Sequence, residues 1–446
     1  GIEDTVTAVA SIGFTELKTG STVGGDASRR RFWVLQKSTN QMSKSRQTVR
    51  KDRSPIMEGE AATLAPMRQI CKVLGEQGAW FHPQLRIYAE GGSLSLHGVP
   101  GAGRESYLRV PMALMPHLEC FDISIENDVF RCEPNGKPVL PHHVHMMEAM
   151  MELFNVTDKV ASWREDLPFL AWQGQSQLQK IMDLRPHDNR FAYYKRLAVG
   201  EDYETLLTKS FLGSRKFGLR KQHLQSLDIR GVQEKRNVLL PVIDCLNHNL
   251  DANGFATPSD GGEPVMRTFH EPSEATGELF VSYNFFDAVD TLLNYGFVDT
   301  AAPLVTSVPM TLKVGSHQIE VKSNKVLNES NLPADIADLR RYVPTVAKQN
   351  RNMTRITHLV ICTRKPFSLR RILTYLVYQL GLAHTEWVAQ QQVADLEEQV
   401  LEYNQAWWRD FVNDADHLPE THPAKQLARH SLGLVHSVAS QLLVDR

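Results

Sequence analysis

Four short segments of this chain carry side chains that could bind a small polar ligand and orient a reacting group. Asn247 and His248 follow the apolar run 238–243, Asn247 standing 36 positions before Tyr283, which closes the alternating stretch Leu279, Phe280, Val281, Ser282, Tyr283. An amide side chain and its neighbouring backbone present both donors and acceptors. Arg215, in the run Ser214, Arg215, Lys216, Phe217, offers a planar fork that matches a carboxylate at two points, which an ammonium cannot do. The same arginine also reads as a surface charge on a helix. Glu90 precedes Gly91 and Gly92, where the missing Cβ lets a backbone approach a ligand closely. A phosphate-binding glycine loop and a nucleophile elbow are both absent from the sequence. His142, His143 and His145 invite a metal reading, but the usual zinc spacing on a helix is four and no nearby Asp or Cys completes a tetrahedron. They read as a solvated helix start, and no metal is expected.

The segment Leu-Pro-Val-Ile-Asp-Cys-Leu-Asn-His-Asn ending at Asn249, and the segment Gly-Glu-Leu-Phe-Val-Ser-Tyr from Gly277 that runs on to Asn-Tyr-Gly-Phe ending at Phe297, together resemble the C-terminal half of a SET domain. That is the catalytic module of one class of S-adenosylmethionine-dependent protein methyltransferases. Within the class the resemblance is to the Rubisco large-subunit lysine methyltransferase type, which includes the actin histidine methyltransferase. It implies a catalytic role for Tyr283, whose hydroxyl would orient the attacking amine. It implies that Asn247 and His248 hold the cofactor, S-adenosyl-L-methionine, with Arg215 on its methionine carboxylate. Glu90, Gly91 and Gly92 resemble the family's Glu-Gly-x-Gly-Leu cofactor strand, although Ser93 replaces the second glycine. Tyr295 would pack beside the cofactor and close the pocket, while Phe217, Tyr295 and Phe297 would line the substrate channel. Residues 284–290 depart from the pattern by about one missing residue and lack the usual Ser-Asn.

The implied chemistry is a substitution with inversion at a sulfonium methyl, and holding the reactants in line can contribute about 7–11 kcal/mol. A lysine acceptor must also lose its proton, at a cost of about 4–5 kcal/mol at pH 7. An apolar aromatic channel lowers that cost by disfavouring the ammonium. An apolar ring at Phe217 suits an aliphatic lysine stem, so lysine is the expected acceptor. A histidine acceptor on the same fold is the alternative, and a SET-like binding module without catalysis, favoured by Ser93, is the rival from another class.

The elements that must position these residues follow from periodicity. Apolar residues from Leu64 to Leu74 recur at helical spacing, and residues 86–111 change to short alternating runs with many glycines, which predicts strands and tight turns. Helical spacing returns after Pro141 through Val144, Met147, Met151 and Leu153 toward Trp163, Phe169 and Leu170, and this block is expected to run to about Lys235. The run 238–243 reads as a buried strand. Val308, Met310, Leu312 and Val314, then Gly315 and Ser316, then Ile319 and Val321 predict a hairpin. Residues 367–382 and 387–411 read as helices, the second with a stripe through Val393, Leu396, Val400, Tyr403, Trp407 and Phe411.

The mixed periodicity predicts an α+β class, and the resemblance implies a SET-domain β-fold with a pseudoknot-like crossing and a helical insertion, followed by an all-α C-terminal substrate-binding domain. The expected boundaries are a flexible basic arm at 1–60, the N-terminal part of the SET domain at 61–140, a helical insertion at 141–235, the catalytic C-terminal part at 236–300, and a mostly helical substrate-binding domain at 301–446. The full 446 residues exceed one ordinary core. With 42% hydrophobic and 22% charged residues and a net charge of −2, no global field draws the chain to nucleic acid, and neither nucleic acid nor membrane is an expected partner. The apolar runs fall short of the roughly 18–20 residues that span a bilayer, and no secretory signal is read at the N-terminus, so a cytoplasmic or nuclear place is expected. The five cysteines are scattered without a CxxC or CxC pair, which fits free thiols in a reducing compartment and removes the cysteine-ligated zinc of many histone-directed SET enzymes. Nine basic residues against Asp52 lie between Arg29 and Arg53; such a run could grip phosphates or an acidic partner surface, and the reading taken is a solvated tail. The resemblance implies a non-histone protein substrate docked on the C-terminal helices, for which residues 367–371 are the expected counterpart, and a monomer is expected.

Overall fold

The computed structural model describes residues 54–157, 159–166, 176–185, 203–220, 235–252, 257–258, 265–323 and 330–444. The basic stretch from Arg29 to Arg53, and Phe169 and Leu170 of the expected insertion, lie outside them. The chain divides into two compact units: Gly1–Ile123, Val129–Asp158 and Arg215–Asn284 form the first, and Ser124–Asp128, Lys159–Ser214 and Phe285–Arg446 the second. Both mix helices with small sheets.

The first unit opens with β1 (Ile56–Gly59) and α1 (Ala61–Glu76). Helix α1 forms because Leu64, Met67, Ile70, Cys71 and Leu74 share one face, and all five are buried. The strands β2 (Trp80–Phe81), β3 (Arg86–Glu90), β4 (Ser93–His97), β5 (Glu105–Pro111), β6 (Phe121–Glu126) and β7 (Val129–Pro134) lead to α2 (Pro141–Val156). Helix α2 starts with proline at its first turn, where the missing N–H is no loss. The unit closes with β8 (Phe217–Arg220), β9 (Lys235–Val238), β10 (Asn247–His248), β11 (Thr257–Pro258), β12 (Val265–His270) and β13 (Phe280–Val281). Its sheets are β1-β3-β4, β11-β12-β5-β2, β6-β7, β8-β9 and β10-β13, the last three residues of β6 counting with the second unit. The β1–β3 and β10–β13 pairings are parallel.

The second unit holds α3 (Lys159–Asp166), α4 (Ser176–Asp183), α5 (Tyr203–Arg215, whose last residue counts with the first unit) and α6 (Ala288–Tyr295). These are followed by β14 (Leu304–Thr306), β15 (Met310–Val314), β16 (His317–Val321), β17 (Val346–Gln349), β18 (Met353–Ile356), β19 (Val360–Cys362), α7 (Ser368–Gln379), α8 (Glu386–Asp414) and α9 (Pro423–Val444). The β15–β16 hairpin turns at Gly315, φ 56°, as its sequence predicts. Leu369, Ile372, Leu373 and Leu376 of α7, Val393, Leu396 and Val400 of α8, and Leu427, Val435 and Val438 of α9 are buried and supply the helical part of the core.

Four expectations are corrected. The helical block does not reach Lys235: α5 ends at Arg215, and Phe217–Arg220 is a strand paired antiparallel to β9, because the partner strand Lys235–Val238 outweighs the local pattern. The run 238–243 is not one strand, since pairing stops at Val238 and Pro241 has no N–H to give to a ladder. The segment 301–446 is not all-α. Besides the expected β15–β16 hairpin, its described residues hold β14, β17, β18 and β19, strands of three or four residues that are too short for periodicity to declare, and β16 pairs with β18 across an interval of about 35 residues. The α8 stripe is displaced by one residue at its centre, where Asn404 and Trp408 are buried while Tyr403 is half exposed. Asn404 takes the inside place because its amide accepts from Val308 N at 3.0 Å and donates to Ser307 Oγ at 3.1 Å, which satisfies a buried polar side chain.

Candidate active site

The residues Gly277–Val281 are fixed on two sides. Gly98 N donates to Gly277 O and Leu279 N to Leu96 O, both at 2.8 Å, with His97 bridged to Glu278. Two residues on, Phe280 and Val281 pair in parallel with Asn247 and His248, and Asn249 N donates to Val281 O at 3.0 Å. A strand arriving from β12 is thus laid along β4 and then along β10. Gly277 sits at φ 73°, and a Cβ there would stand 2.7 Å from Gly98 O. Gly277→Ala therefore combines a left-handed backbone with a clash against main chain, and urea unfolding of the variant should show a loss of about 2–4 kcal/mol.

The approach to Asn247 is strained. Val242 has φ 66° and ψ −45°, and Ile243 N donates to Pro241 O at 2.8 Å across it, which makes a γ-turn of the rare positive-φ kind. For a buried β-branched residue such a conformation costs on the order of 1–3 kcal/mol and persists only where its surroundings enforce it. The 3-10 turn Ile243–Cys245 follows directly, and it delivers the Leu246 carbonyl to Tyr283.

Tyr283 Oη donates to Leu246 O at 2.9 Å, and Tyr283 N donates to His248 Nδ1 at 3.2 Å. The two rings lie 5.0 Å apart between centroids at 33°. Because His248 Nδ1 accepts, the neutral ring carries its proton on Nε2. Asn247 Nδ2 donates to Glu278 Oε1 at 2.8 Å on the exposed side. Arg215 Nη1 donates to Asp244 Oδ2 at 2.7 Å, and its guanidinium stands 5.1 Å from the centre of the Phe154 ring. Burial works against the Arg215 charge, but Asp244, with smaller contributions from Tyr283 and Cys245, outweighs it and holds the group above its ordinary range. Arg215, Asn247, His248 and Tyr283 thus gather in one region of the first unit, around Asp244 and the Leu246 carbonyl.

The remaining expected residues are placed differently. Gly91 (φ 55°) and Gly92 (φ 69°) turn their N–H groups onto the Glu60 carboxylate, at 2.9 and 3.2 Å, and those bonds lower the Glu60 pKa. A Cβ on Gly92 would meet Thr157 O at 3.3 Å. Glu90 is exposed at the end of β3. Phe217 opposes Val238 across the β8–β9 pair. Tyr295 and Phe297 belong to the second unit, where Tyr295 lies 6.1 Å from Phe286 and 6.4 Å from Phe297 between ring centres. His143 Nε2 donates to Ala113 O at 2.6 Å, and among the described residues no group of three His, Cys, Asp or Glu is placed to hold a metal ion. Sequence reasoning missed Asp244, Glu278 and Glu60; the first two stand inside the quoted motifs, and only the fold reveals their partners.

Two buried histidines give the first unit an acid limit. His117 and His270 are 4% and 1% exposed. Burial, joined by Arg236 at His117 and by Arg104 at His270, lowers each from 6.5 to about 4. The unfolded chain then binds more protons than the folded one between about pH 6.5 and 4, so stability is complete above that window and is lost as pH falls through it. Thermal unfolding should show a melting point that drops from pH 7 to pH 4.5, and a double His117→Asn, His270→Asn variant should drop less.

In comparisons with known proteins, no family model and no curated protein matches this sequence. The chain is similar to a solved structure described as "Structure of Rubisco LSMT bound to AdoMet", at 12% identity over 85% of this chain and 92% of that one, with a TM-score of 0.36. At that level the likeness transfers no residue role. Among the described residues, no helix is long and apolar enough to cross a membrane.

Proposed function

We propose that this chain is a SET-type protein methyltransferase that uses S-adenosylmethionine to methylate a lysine side chain of a non-histone protein. The observation that carries the reading is the hydrogen bond from the Tyr283 phenol to the Leu246 carbonyl, immediately before Asn247 and His248. It ties together two segments that lie far apart in sequence and that the resemblance expects to supply the halves of one site. The donor set suits the cofactor. A guanidinium at Arg215 matches its carboxylate, while the Asn247 amide and nearby carbonyls suit its ammonium and adenine ends. When bound, S-adenosylmethionine supplies an electrophilic methyl group on a sulfonium. Tyr283, its proton committed to Leu246 O, keeps oxygen lone pairs that can accept an amine N–H and so turn the nitrogen lone pair in one direction. Phe217 provides an apolar wall for a lysine stem. In the second unit, the exposed side chains of Phe367 and Trp387 offer apolar contact to a protein substrate.

A second reading, a SET-like module that binds a partner without catalysis, is favoured by Glu60, whose carboxylate takes the Gly91 and Gly92 amides that the resemblance gives to the cofactor. Titration calorimetry with S-adenosylmethionine and methyl-labelled cofactor incubated with a cell lysate separate the two. Micromolar binding with label transferred to protein is the expected result. No heat at millimolar cofactor would leave the binding module standing.

A further inference from the structure

His270 lies at the end of β12 and is 1% exposed. Its Nδ1 stands 2.8 Å from the Phe280 carbonyl oxygen. A carbonyl can only accept, so the proton is on Nδ1, and the ring presents a bare Nε2 with no hydrogen-bond partner among the described residues. The carbonyl it holds belongs to β13, a strand of two residues whose register with β10 rests on Asn247 and Val281 and their neighbours. Two residues of parallel pairing are a thin support for a strand that must present Tyr283 three positions later. The Leu96 and Gly98 bonds end at Leu279.

We infer that His270 is a positioning residue for Tyr283: its buried Nδ1–H clamps the Phe280 carbonyl and fixes the height at which the strand delivers the phenol to the Leu246 carbonyl. This rests on the methyl-transfer reading of the site. A clamp of this kind acts on orientation and not on ligand binding, since His270 touches β13 through one backbone oxygen and the expected cofactor residues Asn247 and His248 belong to the opposing strand. Misplacing a reacting group by about an ångström costs about a hundredfold in rate, so partial slackening of a short strand should cost somewhat less.

The test uses the full chain and two substitutions. In His270→Asn the amide nitrogen takes the place of Nδ1, whereas in His270→Phe a ring of similar size carries no donor. The measurements are methyl-label transfer to lysate protein at saturating S-adenosylmethionine, and affinity for S-adenosylhomocysteine. His270→Phe is expected to transfer at least about tenfold more slowly with affinity within about twofold of the parent, while His270→Asn stays within about threefold in rate. Equal rates for His270→Phe and the parent, an equal fall in both variants, or a loss wholly in affinity would each overturn the assignment. If His270→Phe does not fold, His270→Gln replaces it, because its longer side chain carries the amide past the Nδ1 position. Should the parent protein transfer no label, the methyl-transfer reading fails by itself, and the clamp is judged by hydrogen exchange of the peptide spanning 277–284. There His270→Phe should exchange about tenfold faster and His270→Asn should not; identical exchange in all three proteins would dispose of the clamp.

Discussion

Tyr283→Phe should slow methyl transfer by about a hundredfold or more while S-adenosylmethionine affinity stays within about twofold. The substitution removes one oxygen and leaves the ring, so the packing against His248 at 5.0 Å between centroids and the main-chain bond from Tyr283 N to His248 Nδ1 both persist. What disappears is the hydroxyl that joins the two segments at the Leu246 carbonyl. The net worth of one such hydrogen bond to stability is about 1 kcal/mol, far too little to unfold the chain. Its worth to the reaction is larger, because without the oxygen the amine has no fixed acceptor to set its lone pair. Single-turnover label transfer at saturating cofactor and calorimetry read the two quantities separately. Rate and affinity falling together would show that Tyr283 holds the cofactor and does not orient the acceptor.

The parts of this arrangement that could be read from the sequence are those in which residue type answers a local demand. Gly277 is such a case: the residue before Glu278 must run at positive φ with a carbonyl pressed against its α-carbon, and glycine meets that demand. Helices α1, α7 and α8 and the β15–β16 hairpin were similarly open to view, since each is long or regular enough to carry its own period. The hidden features are set by distant partners. Nothing local marks Phe217–Arg220 as a strand, because its partner Lys235–Val238 alone makes it one. Val242 is an ordinary strand residue by type, and its γ-turn exists because the chain must redirect toward Leu246. Asn404, buried on α8, breaks the apolar stripe to satisfy Ser307 and Val308 on a loop about a hundred positions earlier. The candidate site shows the same division. Tyr283, Asn247 and Arg215 could be named from their motifs, whereas Asp244, Glu278 and His270 acquire their roles only when the strands are crossed.

Arg185→Met should destabilise the second unit by about 3–5 kcal/mol. Arg185 is 5% exposed and closes a buried cluster at the start of α6. Its Nη2 donates to both Asp287 oxygens at 2.9 Å, its Nε to Asp290 Oδ1 at 2.9 Å, and its Nη1 to Leu184 O at 3.2 Å. Burial opposes the charge, and the two aspartates outweigh it, so the guanidinium is held above its ordinary range. Asp287 also caps the helix, accepting from Asp290 N at 2.9 Å, and takes Thr306 N at 2.7 Å. Methionine fills most of the volume but removes the cation that bonds both carboxylates, and the lost compensation of buried charge dominates the cost. Arg185→Lys restores a charge without the planar fork that reaches both acids, and should recover about half of the loss. The urea transition of the second unit measures both variants; a cost below about 1 kcal/mol for Arg185→Met would mean that water reaches the cluster and solvates the acids.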